Sequence, residues 1–383
     1  MRSQLKRLTS VTDANGHTTS FGYNARDLRT SQTLPLGQTE TTVYDAVGNA
    51  ARITDFNGKT TTYHYDALNR LDTITPDASL NQPSILFTFT PTGQRASMSD
   101  GSGTTTYGYD AQDRLTSKAT PQGTLSYTYD PNGNVLSVRS SNANGVALDY
   151  RYDALNRLDQ VTDTRLSPGV TSSGYDPASN LTTTTQPNGV LTTATYNDVN
   201  RLTHLASTKN GSTLTSVAYT LRPSGLRTQI VEQNDLQQTS TRAYGYDDAQ
   251  RLLSETITGS ATPTGSISYG YDHTGNRLSR SSSVTGIPSS TSNYDANDRM
   301  AGVSYDNNGN ITAADGVSYS YDYANRISAT STGVSIQYNG DGVRVSETVA
   351  GITTQYLVDE NNPTGSAQVV KELRGGQVQQ RYS

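Results

Sequence analysis

Along most of the chain, aromatic residues stand in pairs two positions apart: Phe21/Tyr23, Tyr63/Tyr65, Phe87/Phe89, Tyr107/Tyr109, Tyr127/Tyr129, Tyr150/Tyr152, Tyr244/Tyr246, Tyr269/Tyr271 and Tyr319/Tyr321. Residues i and i+2 lie on one face of a strand, so each pair predicts a pleated segment with one face apolar and the other dressed in Thr and Ser. Stacked along an antiparallel meander, such pairs make aromatic ladders, each cross-strand pair adding roughly 0.2 to 1 kcal/mol. Turn residues punctuate them. In the first unit, residues 8–13 read as strand, 14–16 as turn, 17–23 as strand and 24–27 as turn. Asn15-Gly16, Asn57-Gly58, Asn144-Gly145, Asn188-Gly189 and Asn210-Gly211, with Asp100-Gly101 and Asp315-Gly316, predict two-residue type I′ hairpins, which need positive φ at both central residues.

The pattern is a repeat. Tyr65-Asp66-Ala67-Leu68-Asn69-Arg70-Leu71 recurs letter for letter from Tyr152 to Leu158, with degenerate copies beginning at Tyr109, Tyr129, Tyr196, Tyr246 and Tyr321. The sets Tyr65/Asp66/Arg70, Tyr109/Asp110/Arg114, Tyr152/Asp153/Arg157, Tyr246/Asp247/Arg251 and Tyr321/Asp322/Arg326 carry the motif. Seventeen aromatic anchors run from Tyr23 to Tyr356, including Tyr219; they are 20 to 27 residues apart as far as Tyr294, then 11, 16, 17 and 18. The residue after the anchor is Asp eleven times and Asn three times, which is turn chemistry before it is active-site chemistry. Arg70, Arg114, Arg157, Arg201, Arg251, Arg299 and Arg326 each follow an acidic or amide residue by four positions. A turn brings the two side chains together, or the guanidinium stacks on a neighbouring Tyr. Either use belongs to a scaffold, since a catalytic group is needed once and a scaffold group in every repeat.

Tyr-Asp-x-x-Gly/Asn-Arg-Leu at a period near 21 resembles the YD-repeat, or RHS-repeat, family of bacterial toxins and their teneurin relatives, over essentially all 383 residues. The resemblance implies β-hairpins in a continuous antiparallel sheet that spirals into a hollow shell, and a non-enzymatic structural role. On that reading the chain is a segment of an RHS-type toxin shell, secreted or at the cell surface, whose partners are a C-terminal toxin domain or adjoining repeats. The end of the chain, through Asn362-Pro363-Thr364-Gly365, resembles the stretch that precedes the family's repeat-associated core. The core's self-cleaving aspartate site and Asp-Pro-x-Gly signature are not in this sequence, and a start inside an ongoing repeat points to a fragment.

Composition supports an all-β chain independently. Tyr numbers 25 against 4 Phe and no Trp, while Asp and Arg far outnumber Glu and Lys, the helix-favouring member of each pair. Seventeen two-strand repeats predict roughly 34 strands at about 4.8 Å each, too many for an open sheet to stay uncurled. The periodicity continues without a compositional break, which predicts one repeat domain over residues 1–383, with 294–383 a subregion of shorter repeats. Two open sheet edges invite self-association.

The charge of -5 is small and the arginines are spread one per repeat, so no footprint for nucleic acid appears. No apolar run approaches the length of a membrane span, and the basic opening lacks the apolar core of a signal peptide. Zero Cys removes disulfides and thiolate chemistry. His17, His64, His204 and His273 lack the local spacing of metal sites and read as strand or turn residues, so neither metal nor cofactor is expected. Gly58-Lys59-Thr60 mimics the end of a phosphate loop, but Ile53 stands where its first Gly belongs. No Gly-x-Ser-x-Gly elbow occurs, and the Asn-x-Ser/Thr sequons at Asn180, Asn210 and Asn310 read as chance in a chain so rich in Ser and Thr. Two alternatives to the shell segment stand at this point: an adhesion or carbohydrate-binding protein gripping glycans with exposed Tyr and Arg, and, more remotely, a glycan-processing enzyme.

Overall fold

A computed structural model of the chain describes residues 7–260 and 263–381. The described chain is all-β: 35 strands and a single 3-10 turn at Ala78–Leu80. Strands from Ser10–Thr12 to Ser290–Thr291 belong to a 26-stranded sheet, and those from Ser304–Tyr305 to Gln377–Arg381 to a 9-stranded one. Successive strands pair antiparallel, as Thr60–Tyr65 does with Leu71–Thr75 and Gly123–Tyr129 with Val135–Ser140. The period-two expectation holds within them: along Gly123–Tyr129, Leu125 and Tyr127 are buried while Ser126 and Thr128 are exposed.

The hairpins differ from expectation in their turns. At Asn15-Gly16, Asn57-Gly58 and Asn188-Gly189 only the glycine has positive φ, at 89°, 75° and 81°. These are three-residue loops, a type I turn closed by a left-handed residue, rather than type I′ turns. At the first two the cause is the Asp before the loop, Asp13 or Asp55, whereas at the third Asn188 Oδ1 accepts the amide of Val190 at 3.0 Å. Asp13 Oδ1 accepts the amides of Asn15 and His17, both at 2.9 Å, which holds the intervening residues in a right-handed turn. Asn144 is left-handed but Gly145 is not, and neither Asp100 nor Gly101 has positive φ. Asn210-Gly211 and Asp315-Gly316 are the type I′ turns, with both residues at positive φ.

The Tyr-Asp turns use the same three-residue geometry. Asn69, Asp113, Asn156, Gln250 and Asn325 take the left-handed position, four after the anchor. A register shift precedes the anchor, as between His64 and Tyr65, so a β-bulge recurs where each aromatic leaves the ladder. Two anchors need correction. In the repeat around 219 the bulge and turn place Leu221, not Tyr219, at the anchor position, with Arg222 standing where Asp stands elsewhere. Tyr356 lies within the strand Ile352–Asp359 instead of ending one.

The chain divides into two compact units, Met1–Ala147 with Tyr294–Ser383, and Leu148–Asn293. In the first, Ile74, Ile85, Phe87 and Met98 form a core against which Tyr63, Leu71, Phe89, Tyr107 and Tyr323 pack. In the second, Ile257, Ile267 and Val284 form a smaller one, flanked by Tyr269 and Ile287. Residues 1–6 of the basic opening and residues 382–383 of the chain end lie outside the described residues.

Candidate functional site

Each motif Asp sits at the first position of its turn because its carboxylate serves two masters. Asp66 Oδ1 accepts the backbone amides of Leu68 and Arg70 at 2.9 and 3.0 Å, while Oδ2 accepts Arg70 Nε at 2.7 Å. The pairs Arg114–Asp110, Arg157–Asp153, Arg251–Asp247 and Arg326–Asp322 repeat the Nε contact at 2.7 Å. The Arg70 side chain beside Asp66, and likewise Arg157 beside Asp153, holds the carboxyl below its ordinary value, so these groups are poor proton acceptors.

The guanidinium then reaches forward by one repeat. Arg70 lies over the ring of Phe89 at 4.3 Å, Arg114 over Tyr129 at 4.8 Å, Arg157 over Tyr175 at 4.6 Å, Arg251 over Tyr271 at 5.1 Å and Arg326 over Tyr338 at 4.6 Å. Arg114, Arg157 and Arg251 also donate through Nη1 to the carbonyl oxygens of Asp130, Asp176 and Asp272, the turn of that next repeat. The anchors reach back. Tyr65 Oη donates to the carbonyl of Ala50 at 3.3 Å, Tyr109 to Arg95 at 2.9 Å, Tyr246 to Arg227 at 2.7 Å and Tyr321 to Ile311 at 2.7 Å. Aspartate, arginine and aromatic thus close one corner and tie it to both neighbours. The backward hydroxyl bond, to the residue six past the preceding anchor, was not anticipated from the sequence, although the near-constant anchor spacing is its signature.

A second assembly lies within the first unit, formed by groups over 200 residues apart. A cavity of about 270 Å³ is lined by Arg95, Tyr107, Lys118, Tyr127, Asp341 and Glu360, among others. Arg95 Nη1 donates to both oxygens of Asp341, at 2.6 and 2.8 Å, and Lys118 pairs with Glu360. Tyr127 Oη donates to Asp359 Oδ1 at 2.8 Å. Burial raises the Tyr127 hydroxyl and the Asp359 carboxyl above their ordinary values and pushes Tyr107 up to about 12. Nearby, Lys371 is fully buried and donates to Ser140 Oγ and Asn142 Oδ1. Two ion pairs, the Tyr127 bond to Asp359 and the Lys371 bonds to Ser140 and Asn142 thus fasten the C-terminal segment onto the strands from Arg95–Asp100 to Val135–Ser140. Sequence reasoning missed it; the one available signal was that Lys118 and Lys371 are two of only five lysines in the chain. Elsewhere in this unit, Asp13, His17 and Asp298 offer oxygen and nitrogen atoms within 4.8 Å of one another, the one such donor group among the described residues.

Residues 3–361 match the sequence profile described as Teneurin YD-shell. The sequence matches no curated protein. Among solved structures, the chain is similar to the crystal structure of TcdB2-TccC3-TEV, with TM-score 0.71 and 15% identity over 96% of this chain and 24% of that one. It is also similar to TcdB2-TccC3 without its hypervariable C-terminal region, with TM-score 0.73 and 16% identity over 95% and 23%. A structure of the Photorhabdus luminescens Tc holotoxin pore gives TM-score 0.71 and 14% identity over 95% and 24%. At these identities the likeness is one of fold, and the chain spans about a quarter of the length of each neighbour.

Proposed function

The chain belongs to the Teneurin YD-shell family, and from that membership we propose that it is a wall segment of an RHS- or Tc-type toxin shell, acting as a non-enzymatic container for a C-terminal effector. The observation that carries this reading is the recurrent corner. The carboxylates and guanidiniums that chemistry would need to be available are engaged, repeat after repeat, in holding one hairpin to the next. Among the structural neighbours, TcdB2-TccC3 has a hypervariable C-terminal region, which suits a uniform wall joined to a variable cargo. The proposed partners are adjoining repeats of a longer polypeptide and the enclosed effector, and the proposed destination is outside the producing cell. Among the described residues no helix is long and apolar enough to cross a membrane, a statement that does not extend to β-barrels.

The test uses the whole gene product that contains this chain. Limited proteolysis under native conditions is expected to leave the C-terminal segment intact, and mild denaturant that opens the wall is expected to expose it to rapid cleavage. Equal cleavage of that segment in both conditions would overturn the container reading.

A further inference from the structure

We propose that Asp13, His17 and Asp298 form a binding site for a divalent transition-metal ion of the zinc type. The site begins with a departure from the repeat. At the Asp66 corner the second carboxylate oxygen is met by Arg70 Nε at 2.7 Å, and at the Asp55 turn by Asn308 Nδ2 at 2.7 Å. At the Asp13 turn, Oδ1 makes the usual backbone bonds, but Oδ2 faces His17 Nδ1 at 3.4 Å, beyond an ordinary hydrogen bond. That ring nitrogen is buried and has no hydrogen-bond partner. A buried polar atom left so demands an explanation.

The third donor comes from the far end of the sequence. Asp298 occupies the left-handed position of its turn, with φ 59°, where Asn69 and Asn325 stand in theirs. Asn297 beside it holds that turn in place, accepting from Leu36 N at 3.2 Å and donating to Gln38 Oε1 at 2.9 Å. The backbone therefore presents the Asp298 carboxylate to the Asp13 turn, and the three donor atoms fall within 4.8 Å of one another.

The spacing matches a metal better than a hydrogen bond. Zinc binds nitrogen and carboxylate oxygen at about 2.0 to 2.2 Å, and in a tetrahedral site two such ligands stand roughly 3.4 Å apart. That is the His17 Nδ1 to Asp13 Oδ2 distance, 3.4 Å. The exposed Asp298 carboxylate supplies the third protein ligand, leaving a position for water. One imidazole with two carboxylates suits zinc and its transition-metal neighbours, whereas calcium and magnesium prefer oxygen alone. A doubly charged ion also neutralises two carboxylates that the fold has brought together. Its bonds would join the first described hairpin to the turn at 295–299, inside one compact unit.

The untagged, chelator-stripped chain, titrated with zinc chloride by calorimetry at neutral pH, is expected to bind one equivalent. His17→Gln and Asp298→Asn are each expected to weaken binding about tenfold or more, because each removes one of three ligands. Both keep the local fold: Gln38 occupies the place of His17 in the next such turn, and Asn is at home in the left-handed position. Zinc is expected to raise the thermal midpoint of the parent chain and not of His17→Gln, and calcium is expected to do neither. Absence of saturable zinc binding would overturn the proposal. So would a zinc site undiminished in both variants, which would assign the metal to His64, His204 or His273.

Discussion

The two compact units are built from the same repeat and differ in what it buries. Of the nineteen buried hydrophobic residues among those described, fifteen lie in the unit of Met1–Ala147 and Tyr294–Ser383, and four in Leu148–Asn293. Strand length does not explain this, since the second unit holds the longest strand, Ser212–Leu221. Nor do the corners, whose Asp–Arg and Arg–aromatic contacts are alike in both. The difference is a second layer. In the first unit the C-terminal strands cover the earlier sheet: Gly340 sits so tightly against Ile85 and Met98 that a Cβ there would collide with both. Tyr127 is 3% exposed under that cover, whereas Tyr244 and Tyr269, its counterparts in the second unit, are only half-buried. The repeat therefore makes a sheet and a small core such as that of Ile257, Ile267 and Val284, but the larger core forms where another layer lies on the sheet.

The largest expected effect tests that contrast directly. Met98→Ala, at a fully buried site, should cost roughly 2 to 5 kcal/mol through lost contacts and a residual cavity. Leu253→Ala, at a position 39% exposed, should cost under about 1 kcal/mol. Similar shifts in urea midpoint for the two would break the comparison.

Two glycines separate conformational need from packing. Gly145 has no positive φ, but a Cβ there would run into Ser140, Lys371 and the carbonyl of Asn142, so Gly145→Ala should cost about 1 to 3 kcal/mol by overpacking. Gly58, at φ 75° in open space, should lose only about 1 kcal/mol on change to Ala, and less on change to Asn, which tolerates the left-handed region. Midpoints ranked the other way would mean that the covering layer is loose at Gly145.

Acid titration should give opposite signs for interior and corner. Burial raises the Asp359 carboxyl above 3.8, so its stabilising contribution is complete below that value and is lost as pH rises through its folded value. Asp359→Asn should therefore gain on the parent chain as pH climbs from about 4. The Arg157 side chain lowers Asp153 below 3.8, so its contribution is present above that value and is lost as pH falls through the folded one. Asp153→Asn should accordingly be weaker than the parent near neutrality and converge with it in acid. Thermal midpoints measured across pH decide this, and parallel curves would contradict it.

The smallest effect should be the same in both units. Tyr109→Phe and Tyr175→Phe each delete a hydroxyl bond to the preceding repeat, to the carbonyls of Arg95 and Leu158, at a cost of about 0.5 to 1 kcal/mol. A much larger loss at Tyr109 than at Tyr175 would show that the link depends on the layer as well as on the repeat.

What the sequence determined by itself is whatever acts over one repeat. The period, the all-β class, the Asp that opens most of the anchor turns and the two uses open to its Arg, pairing and stacking, were all legible, and the structure shows the Arg doing both. These contacts join residues 4 to about 25 positions apart, so turn geometry settles them. The type I′ expectation failed within that same range, because an Asn-Gly pair does not reveal that Asp13 captures two amides ahead of it. Only the tertiary structure decided which aromatic faces are covered, which brought Lys118 to Glu360 and Tyr127 to Asp359, and which set Asp298 beside His17. The reason is physical. Which distant strands meet depends on twist summed over many hairpins, and a few degrees per strand, invisible in any single repeat, redirect the layer that closes the core.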